Sequence, residues 1–248
     1  MAGTAGAVTV GAMIATPLLP QGGRARRALS TVVVVGSCAT TTANAVRRWG
    51  AARATTAAGV TAVATTAVER VGTQTGLPFG RYAYTAALQP QVADVPAIVP
   101  LAWFAMGLPA REAAHAALGE HSTPARRIAL GSAALTAWDL FLDPQMVGEG
   151  YWVWARRGLY RGIPLGNFVG WFLTGLGVMA ALEALLPPNR YADGSADADG
   201  ALVAEYSFMG VMETVGFARY FRDPVVAVVG GLGMLPVAGA ALIGKLPG

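Results

Sequence analysis

Charged residues are scarce in this sequence: they make up 13% of its 248 residues, against about 25% in a typical soluble domain. Hydrophobic residues account for 54% of the chain. This composition excludes an ordinary soluble domain and indicates an integral membrane protein, in which each span takes about 20 apolar residues. We therefore predict an all-α fold, a polytopic transmembrane helix bundle of seven to eight spans. It would form a single multi-pass domain over residues 1–248 in the cell membrane.

Cysteine, histidine and lysine are nearly absent. Cys38 is the only cysteine, which excludes a disulfide within the chain and a cysteine-based metal site. Two histidines, His115 and His121, do not supply the histidine-rich ligand set of an oxygen-dependent hydroxylase or desaturase. The basic residues are almost all arginines grouped between apolar segments, which favours loop charges that meet anionic lipid over a nucleic-acid surface. We expect no metal, no cofactor and no nucleic-acid partner.

Apolar segments recur along the whole chain and predict the spans. They run over about 3–19, 29–46, 54–70, 95–118, 126–143, 164–187, 202–218 and 225–243. The third is almost entirely Ala, Thr, Val and Gly, so we predict that it packs inside the bundle. A polar stretch at about 187–200 predicts a flexible loop. Arginine and lysine are divided too evenly between alternating loops to set the orientation.

The strongest candidates for chemistry are two aspartates near the end of the fifth span. Asp139 and Asp143 are one helical turn apart and so share a face, and Pro144 predicts that the helix ends or bends there. Two carboxylates in a poorly solvated place push their ionisation apart, so that one stays protonated and can serve as an acid. The alternative is an ion pair with a nearby arginine such as Arg156.

Glu69 ranks next among the carboxylates, because it ends the third span and precedes a turn-rich segment. That segment carries Phe79 and Tyr82, and its glycines and Pro78 exclude a continuous helix. Two interpretations stay open: an interfacial loop anchored by its aromatic side chains, or a loop that covers a substrate groove.

Aromatic residues are concentrated between the fifth and sixth spans. The aromatic side chains here would form either an aromatic belt at the membrane surface or the wall of a pocket that stabilises a cation. They are Trp138, Tyr151, Trp152, Trp154, Tyr160 and Trp171. Small residues recur at every fourth position from Gly162 to Thr174, which is typical of a helix-packing face. Asn167 lies beside this face, so we expect it to be held against a neighbouring helix.

These motifs together resemble a known family, the membrane-integral carotenoid biosynthesis proteins, which include the carotenoid 1,2-hydratases of the bisanhydrobacterioruberin hydratase type. The resemblance covers roughly residues 69–174, within a motif-bearing core of about 69–187. It rests on Thr75-Gly-Leu-Pro-Phe-Gly-Arg-Tyr-Ala-Tyr, Val95-Pro, Pro100-Leu-Ala-Trp, Trp138-Asp-Leu-Phe-Leu-Asp-Pro-Gln-Met-Val, Gly150-Tyr-Trp-Val-Trp and Tyr160-Arg-Gly-Ile-Pro-Leu-Gly-Asn-Phe-Val-Gly-Trp.

The resemblance implies cofactor-independent addition of water to the terminal 1,2 double bond of an acyclic carotenoid end group, which gives a tertiary alcohol. The partners would be the lipid-soluble carotenoid, the bilayer and other carotenoid enzymes. Such a reaction needs a proton donor and a group that orients water. We assign these catalytic roles to Asp139, Asp143 and Glu69. Substrate binding is assigned to the amide and aromatic candidates, namely Asn167, Trp138, Tyr151, Trp152, Trp171, Phe79 and Tyr82.

Two other functions use the same residues differently. In a membrane transporter the carboxylates would form a proton relay, although the two halves of the chain show no internal correspondence. In a non-catalytic assembly partner of carotenoid enzymes the carboxylates would be structural. Replacing Asp139 by Asn distinguishes these functions, because an assembly partner should tolerate the change.

Overall fold

The computed structural model describes residues 2–187 and 196–244. Within these ranges the chain forms eight α-helices, which confirms the predicted all-α bundle. Their bounds are α1 Ala2–Ala15, α2 Arg24–Trp49, α3 Ala51–Thr75, α4 Ile98–Leu118, α5 Pro124–Gly148, α6 Leu165–Leu185, α7 Ala196–Arg219 and α8 Pro224–Ile243. Four short strands lie in the connections: β1 Tyr82–Tyr84, β2 Gln91–Val92, β3 Val95–Pro96 and β4 Trp152–Trp154.

Contacts between the connections show that neighbours in sequence run in opposite directions, because strand β1 after α3 pairs with strand β4 after α5. The connections after α1, α3, α5 and α7 therefore meet at one end of the bundle. Two ion pairs tie that end together, Arg26 with Glu149 at 2.6 Å and Arg161 with Asp223 at 2.5 Å. At the opposite end the indole of Trp49 donates a hydrogen bond to the carbonyl of Pro187 at 2.9 Å.

Among the described residues, three helices are long and apolar enough to cross a membrane: α2, α6 and α8. Their lengths of 26, 21 and 20 residues suit a hydrocarbon layer of about 30 Å. These helices make the chain a membrane protein, whereas seven to eight spans remain a prediction.

The predicted burial of the third span is only half right. One face of α3 packs inward, through Ala54, Ala57, Thr61, Thr65, Glu69 and Gly72. This spacing of three and four residues is that of one helix face. Val63 on the opposite face is 73% exposed, so α3 lies at the periphery of the bundle with its small residues inward.

Of the two outcomes predicted at Pro144, an end or a bend, the end is not observed: α5 continues to Gly148. A proline inside a helix leaves the carbonyl four residues earlier without its backbone donor. Here that carbonyl belongs to Leu140, and the hydroxyl of Tyr160 donates to it at 2.8 Å. A side-chain hydroxyl also replaces the missing backbone donor at Pro109 in α4. There the Thr41 hydroxyl donates to the carbonyl of Ala105 at 3.0 Å.

The polar loop predicted at about 187–200 falls largely outside the described residues, which resume at 196. From there the chain is helical, so α7 begins earlier than the predicted span.

Candidate active site

The two aspartates lie on the inward face of α5, near the C-terminal end of that helix. Asp139 is 0% and Asp143 is 1% exposed. Neither forms an ion pair with any residue that the structure describes, so the alternative of a bridge to Arg156 is not realised there. A buried carboxylate without a cation depends on neutral hydrogen-bond donors.

The first of these donors is Asn167, in the opening turn of α6. Its side-chain nitrogen donates at 2.8 Å to Oδ2 of Asp139 and at 2.8 Å to Oδ2 of Asp143. One amide group therefore joins both carboxylates across the α5–α6 contact. The expectation that Asn167 is held against a neighbouring helix is correct in this sense.

A two-stranded antiparallel ribbon supplies further donors. Strand β1 pairs with β4 so that Tyr82 lies opposite Trp154 and Tyr84 opposite Trp152. Because side chains alternate along a strand, all four aromatic side chains project from one face of the ribbon. The Trp152 indole donates to Oδ1 of Asp143 at 2.6 Å, and that of Trp154 approaches the same oxygen at 3.4 Å.

Glu69 on α3 faces the same space and is held in the same way. It is 4% exposed. The hydroxyls of Tyr82 and Tyr84 donate to its Oε2, the latter at 2.8 Å, and the Trp103 indole donates to Oε1 at 3.1 Å. Three neutral donors thus surround the third carboxylate.

The surroundings of the two tyrosine hydroxyls make their ionisation less favourable than it is in water. Burial raises the pKa of Tyr84 well above its ordinary value, and the neighbouring charge of Glu69 raises it further. Burial and Glu69 also raise the pKa of Tyr82. Both hydroxyls therefore keep their protons at neutral pH and act as hydrogen-bond donors to Glu69.

The carboxylates surround a small cavity of about 60 Å³, which we call the acid cavity. Seven of the ten predicted site residues line it: Glu69, Phe79, Tyr82, Asp143, Trp152, Asn167 and Trp171. Asp139 lies behind Asp143 and reaches the cavity only through Asn167. Trp138 and Tyr151 line an adjacent, larger cavity instead.

Phe79 reaches the acid cavity because two glycines make room for it. A Cβ at Gly170 would lie 2.8 Å from the Phe79 ring, and one at Gly72 would lie 2.9 Å from it. The small-residue face of α6 therefore receives the Pro78–Phe79 loop at Gly170. The closest approach to α5 comes at Gly175, against Ser132.

Three residues of the site did not appear among the predicted ones: Tyr84, Trp103 and Trp154. Tyr84 and Trp154 continue the alternation that begins with Tyr82 and Trp152, so the period-two patterns Tyr-Ala-Tyr and Trp-Val-Trp were the available signal. Trp103 stacks on Trp171 with ring centroids 4.0 Å apart and belongs to the Pro100-Leu-Ala-Trp motif.

Comparison with known proteins gives one family and one curated relative. A family described as "Carotenoid biosynthesis protein" matches residues 29–236. Over 110 residues the chain is 34% identical to a bisanhydrobacterioruberin hydratase of Haloarcula japonica. That segment is 44% of this chain and 37% of the relative's length. No solved structure matches the chain.

Proposed function

The chain belongs to the carotenoid biosynthesis protein family, and from this premise we propose that it is a cofactor-independent carotenoid 1,2-hydratase of the cell membrane. It would add water to the terminal double bond of an acyclic carotenoid end group and give a tertiary alcohol. One observation carries the proposal: two buried carboxylates, Glu69 and Asp143, line one apolar cavity, and Asp139 is joined to Asp143 through Asn167. Among the described residues, all three carboxylates accept hydrogen bonds from neutral donors alone. The hydratase relative supports the same reaction class.

The reaction requires two proton transfers in a site that is shielded from bulk water. A proton adds to the less substituted alkene carbon, the π bond breaks, and the positive charge falls on the tertiary carbon. Water then forms a C–O bond to that carbon and loses a proton to a base. The proton returned by water replaces the one consumed, so the overall change is the addition of one water molecule.

Asp143 is the proposed acid, because it is the aspartate whose side chain lines the acid cavity. The Asn167 amide donates one N–H to Asp139 and the other to Asp143, and so holds the two carboxyl groups close together. Like charges so close disfavour double ionisation, and the pair retains one proton between them. Asp139 is a positioning residue in this scheme, since it acts through Asn167 and Asp143.

Glu69 is the proposed base that orients water and takes its proton. It lines the same cavity but lies on a different helix from the acid, so an end group can sit between the two. Donation from Tyr82, Tyr84 and Trp103 stabilises its charged form. The proton then passes back to the aspartate pair before the next turnover.

The aromatic lining suits the cationic intermediate. Trp152, Trp154 and Trp171 line the acid cavity with Phe79. An aromatic face stabilises a nearby cation by about 0.5–2 kcal/mol, and more strongly where water is excluded. None of the residues lining the cavity is basic, so no fixed positive charge opposes the intermediate.

A lipid-soluble substrate would reach the acid cavity from the bilayer. An apolar groove of about 570 Å³ runs between α3 and α6. Its walls include the small residues Thr61, Ala64 and Gly177, and one end is formed by Leu77 and Pro78. Phe79, the next residue, lines the acid cavity. The Pro78–Phe79 loop therefore separates the groove from the site and is the proposed gate.

A pigment profile tests the function. Cells that make acyclic carotenoids would express the wild-type chain, Asp143→Asn, or the control Asp94→Asn, which changes a carboxylate whose side chain is 73% exposed. Liquid chromatography with mass detection should show a gain of one water per modified end with wild type and with the control. Asp143→Asn should lower this conversion by about 10²–10⁴-fold, as expected for loss of a general acid.

The result that overturns the proposal is equal conversion by Asp143→Asn and wild type, or no new pigment from a wild-type chain shown to be folded in the membrane. In the second case a transporter or an assembly partner becomes the better explanation of the buried carboxylates.

A further inference from the structure

A second cavity of about 330 Å³ lies beside the acid cavity, between α1, α2, α5 and α7. The two cavities share part of their walls: Val34, Ile98, Leu142 and Met146 line both. They are therefore separated by single side chains, two of them from the α5 segment that carries Asp143. Nothing in the mechanism above uses this second cavity.

The second cavity contains polar groups that the protein does not satisfy. Tyr151 is 0% exposed, and its hydroxyl lies close to the Ser30 side chain without forming a hydrogen bond of acceptable geometry to any described residue. The indole nitrogen of Trp138, which is 6% exposed, also forms no hydrogen bond to a described residue. Glu213 on α7 also lines the cavity, together with Ser30 and Gln145.

Unsatisfied polar groups around a cavity of this size indicate a polar occupant. A buried hydroxyl or N–H without a partner costs roughly 1–3 kcal/mol, and a buried carboxylate costs more. A bound water molecule typically makes two to four hydrogen bonds to such groups. Hydrocarbon would satisfy none of them, so a lipid chain is the less favourable occupant.

The second cavity lies between the connections at the end of the bundle and the wall of the acid cavity. Its outer wall includes Thr16 and Pro17 before α2, and Tyr220 and Phe221 before α8, which lie in connections at the end of the bundle. Tyr220 is 51% exposed. From there the cavity extends to Leu142 and Met146 at the wall of the acid cavity.

We propose that the second cavity is filled with water and supplies the water molecule that the reaction consumes. Water and hydrocarbon then reach the acid cavity by different routes, through the second cavity and through the α3–α6 groove respectively. Glu213, Tyr151 and Ser30 hold the water in place. The supply role rests on the proposed function, whereas the hydration of the cavity does not.

Thiol accessibility tests the hydration directly. In a Cys38→Ala background, which removes the only cysteine, Val33→Cys places a thiol in the second cavity. Val35→Cys is the matched control, two residues along the same helix at a position 47% exposed on its outer side. The probe is a small charged methanethiosulfonate, applied to membranes, because it reacts with thiolates in water and not in lipid.

Val33→Cys should react at least ten times faster than Val35→Cys. Met212 also lines the second cavity, so Met212→Cys provides the same comparison if Val33→Cys does not fold. Labelling at either position no faster than at Val35→Cys would overturn the proposal, because it would mean a dry cavity suited to hydrocarbon.

The supply role has its own readout. Glu213→Leu should lower kcat for hydration about tenfold and leave KM for the carotenoid unchanged, since hydrocarbon binding does not involve this cavity. A raised KM with unchanged kcat would instead make the cavity part of the carotenoid site and overturn the supply role. If no hydration occurs in wild type, the proposed function fails, but the labelling result still decides whether the cavity holds water.

Discussion

Two buried clusters of carboxylates lie at opposite ends of this bundle and are stabilised in opposite ways. Within the part of the chain that the structure describes, the carboxylate cluster, Glu69 with Asp139 and Asp143, accepts hydrogen bonds only from neutral side chains. The ion-pair cluster at the other end pairs every carboxylate with arginine. It consists of Arg48, Arg111, Glu112, Arg127 and Glu183.

The ion-pair cluster fixes the helices to one another. Arg111 on α4 contacts Glu112 at 2.9 Å and Glu183 of α6 at 3.1 Å, and it donates to the carbonyl of Leu186 at 2.7 Å. A carboxylate paired in this way is a poor proton donor, because its charged form is stabilised by the guanidinium. A guanidinium holds a carboxylate in its charged form, whereas neutral donors stabilise that form less and leave the proposed proton transfers possible.

The roles of the two clusters can be compared most directly by replacing one glutamate with glutamine in each cluster. Glu112→Gln leaves Arg48 and Arg111 buried without their common partner, so we expect a loss of about 3–5 kcal/mol in unfolding free energy. Glu69→Gln should lower stability by only about 1 kcal/mol while lowering hydration by roughly 10²-fold or more. Unfolding in detergent and pigment conversion measure the two effects. Equal destabilisation by both substitutions would contradict the contrast.

The amide between the aspartates provides the next comparison. Asn167→Leu removes the donor shared by both carboxylates, so we expect a loss of about 1–3 kcal/mol in unfolding free energy. Asn167→Gln retains the amide but displaces it, and should recover stability better than activity. Thermal unfolding alongside pigment conversion checks this. Full activity in Asn167→Leu would show that the aspartates do not act as a pair.

The two tryptophans of the ribbon allow a test of single hydrogen bonds. Trp152→Phe removes the indole N–H at 2.6 Å from Asp143 and retains an aromatic ring. A hydrogen bond to a charged group contributes about 1.5–3 kcal/mol, so we expect a drop of roughly tenfold or more in kcat. Trp154→Phe, whose N–H lies at 3.4 Å, should change kcat by less than about threefold. The reverse order in measured kcat would contradict this geometry.

The smallest expected effect concerns α5, the helix that carries the proposed acid Asp143. Tyr160→Phe leaves the carbonyl of Leu140 without its donor, which should cost about 1 kcal/mol in unfolding free energy. Because Leu140 lies between Asp139 and Asp143, we also expect a modest fall in activity. Unfolding in detergent gives the first quantity. An unchanged midpoint would mean that water replaces the hydroxyl.

The helices and the acid pair could be predicted from local pattern, whereas the donors could not. A spacing of four residues places Asp139 and Asp143 on one face in any helix. The pairing of Tyr84 with Trp152 depends on two connections about 70 residues apart, which no local periodicity specifies. Whether α5 ends or continues at Pro144 could not be decided from the sequence for the same reason, since its continuation depends on Tyr160 in the next connection.

The order of the chain has a consequence for biosynthesis at the ribosome. All three carboxylates precede Trp152, Asn167 and Trp171 in the sequence. A nascent chain therefore exposes its acidic groups before it contains the indoles and the amide that enclose them. Until the sixth helix has emerged, water or the insertion machinery has to solvate the two aspartates. An N-terminal fragment ending at α5 would contain the donors to Glu69 but lack Trp152, Trp154 and Asn167, the donors to the aspartates.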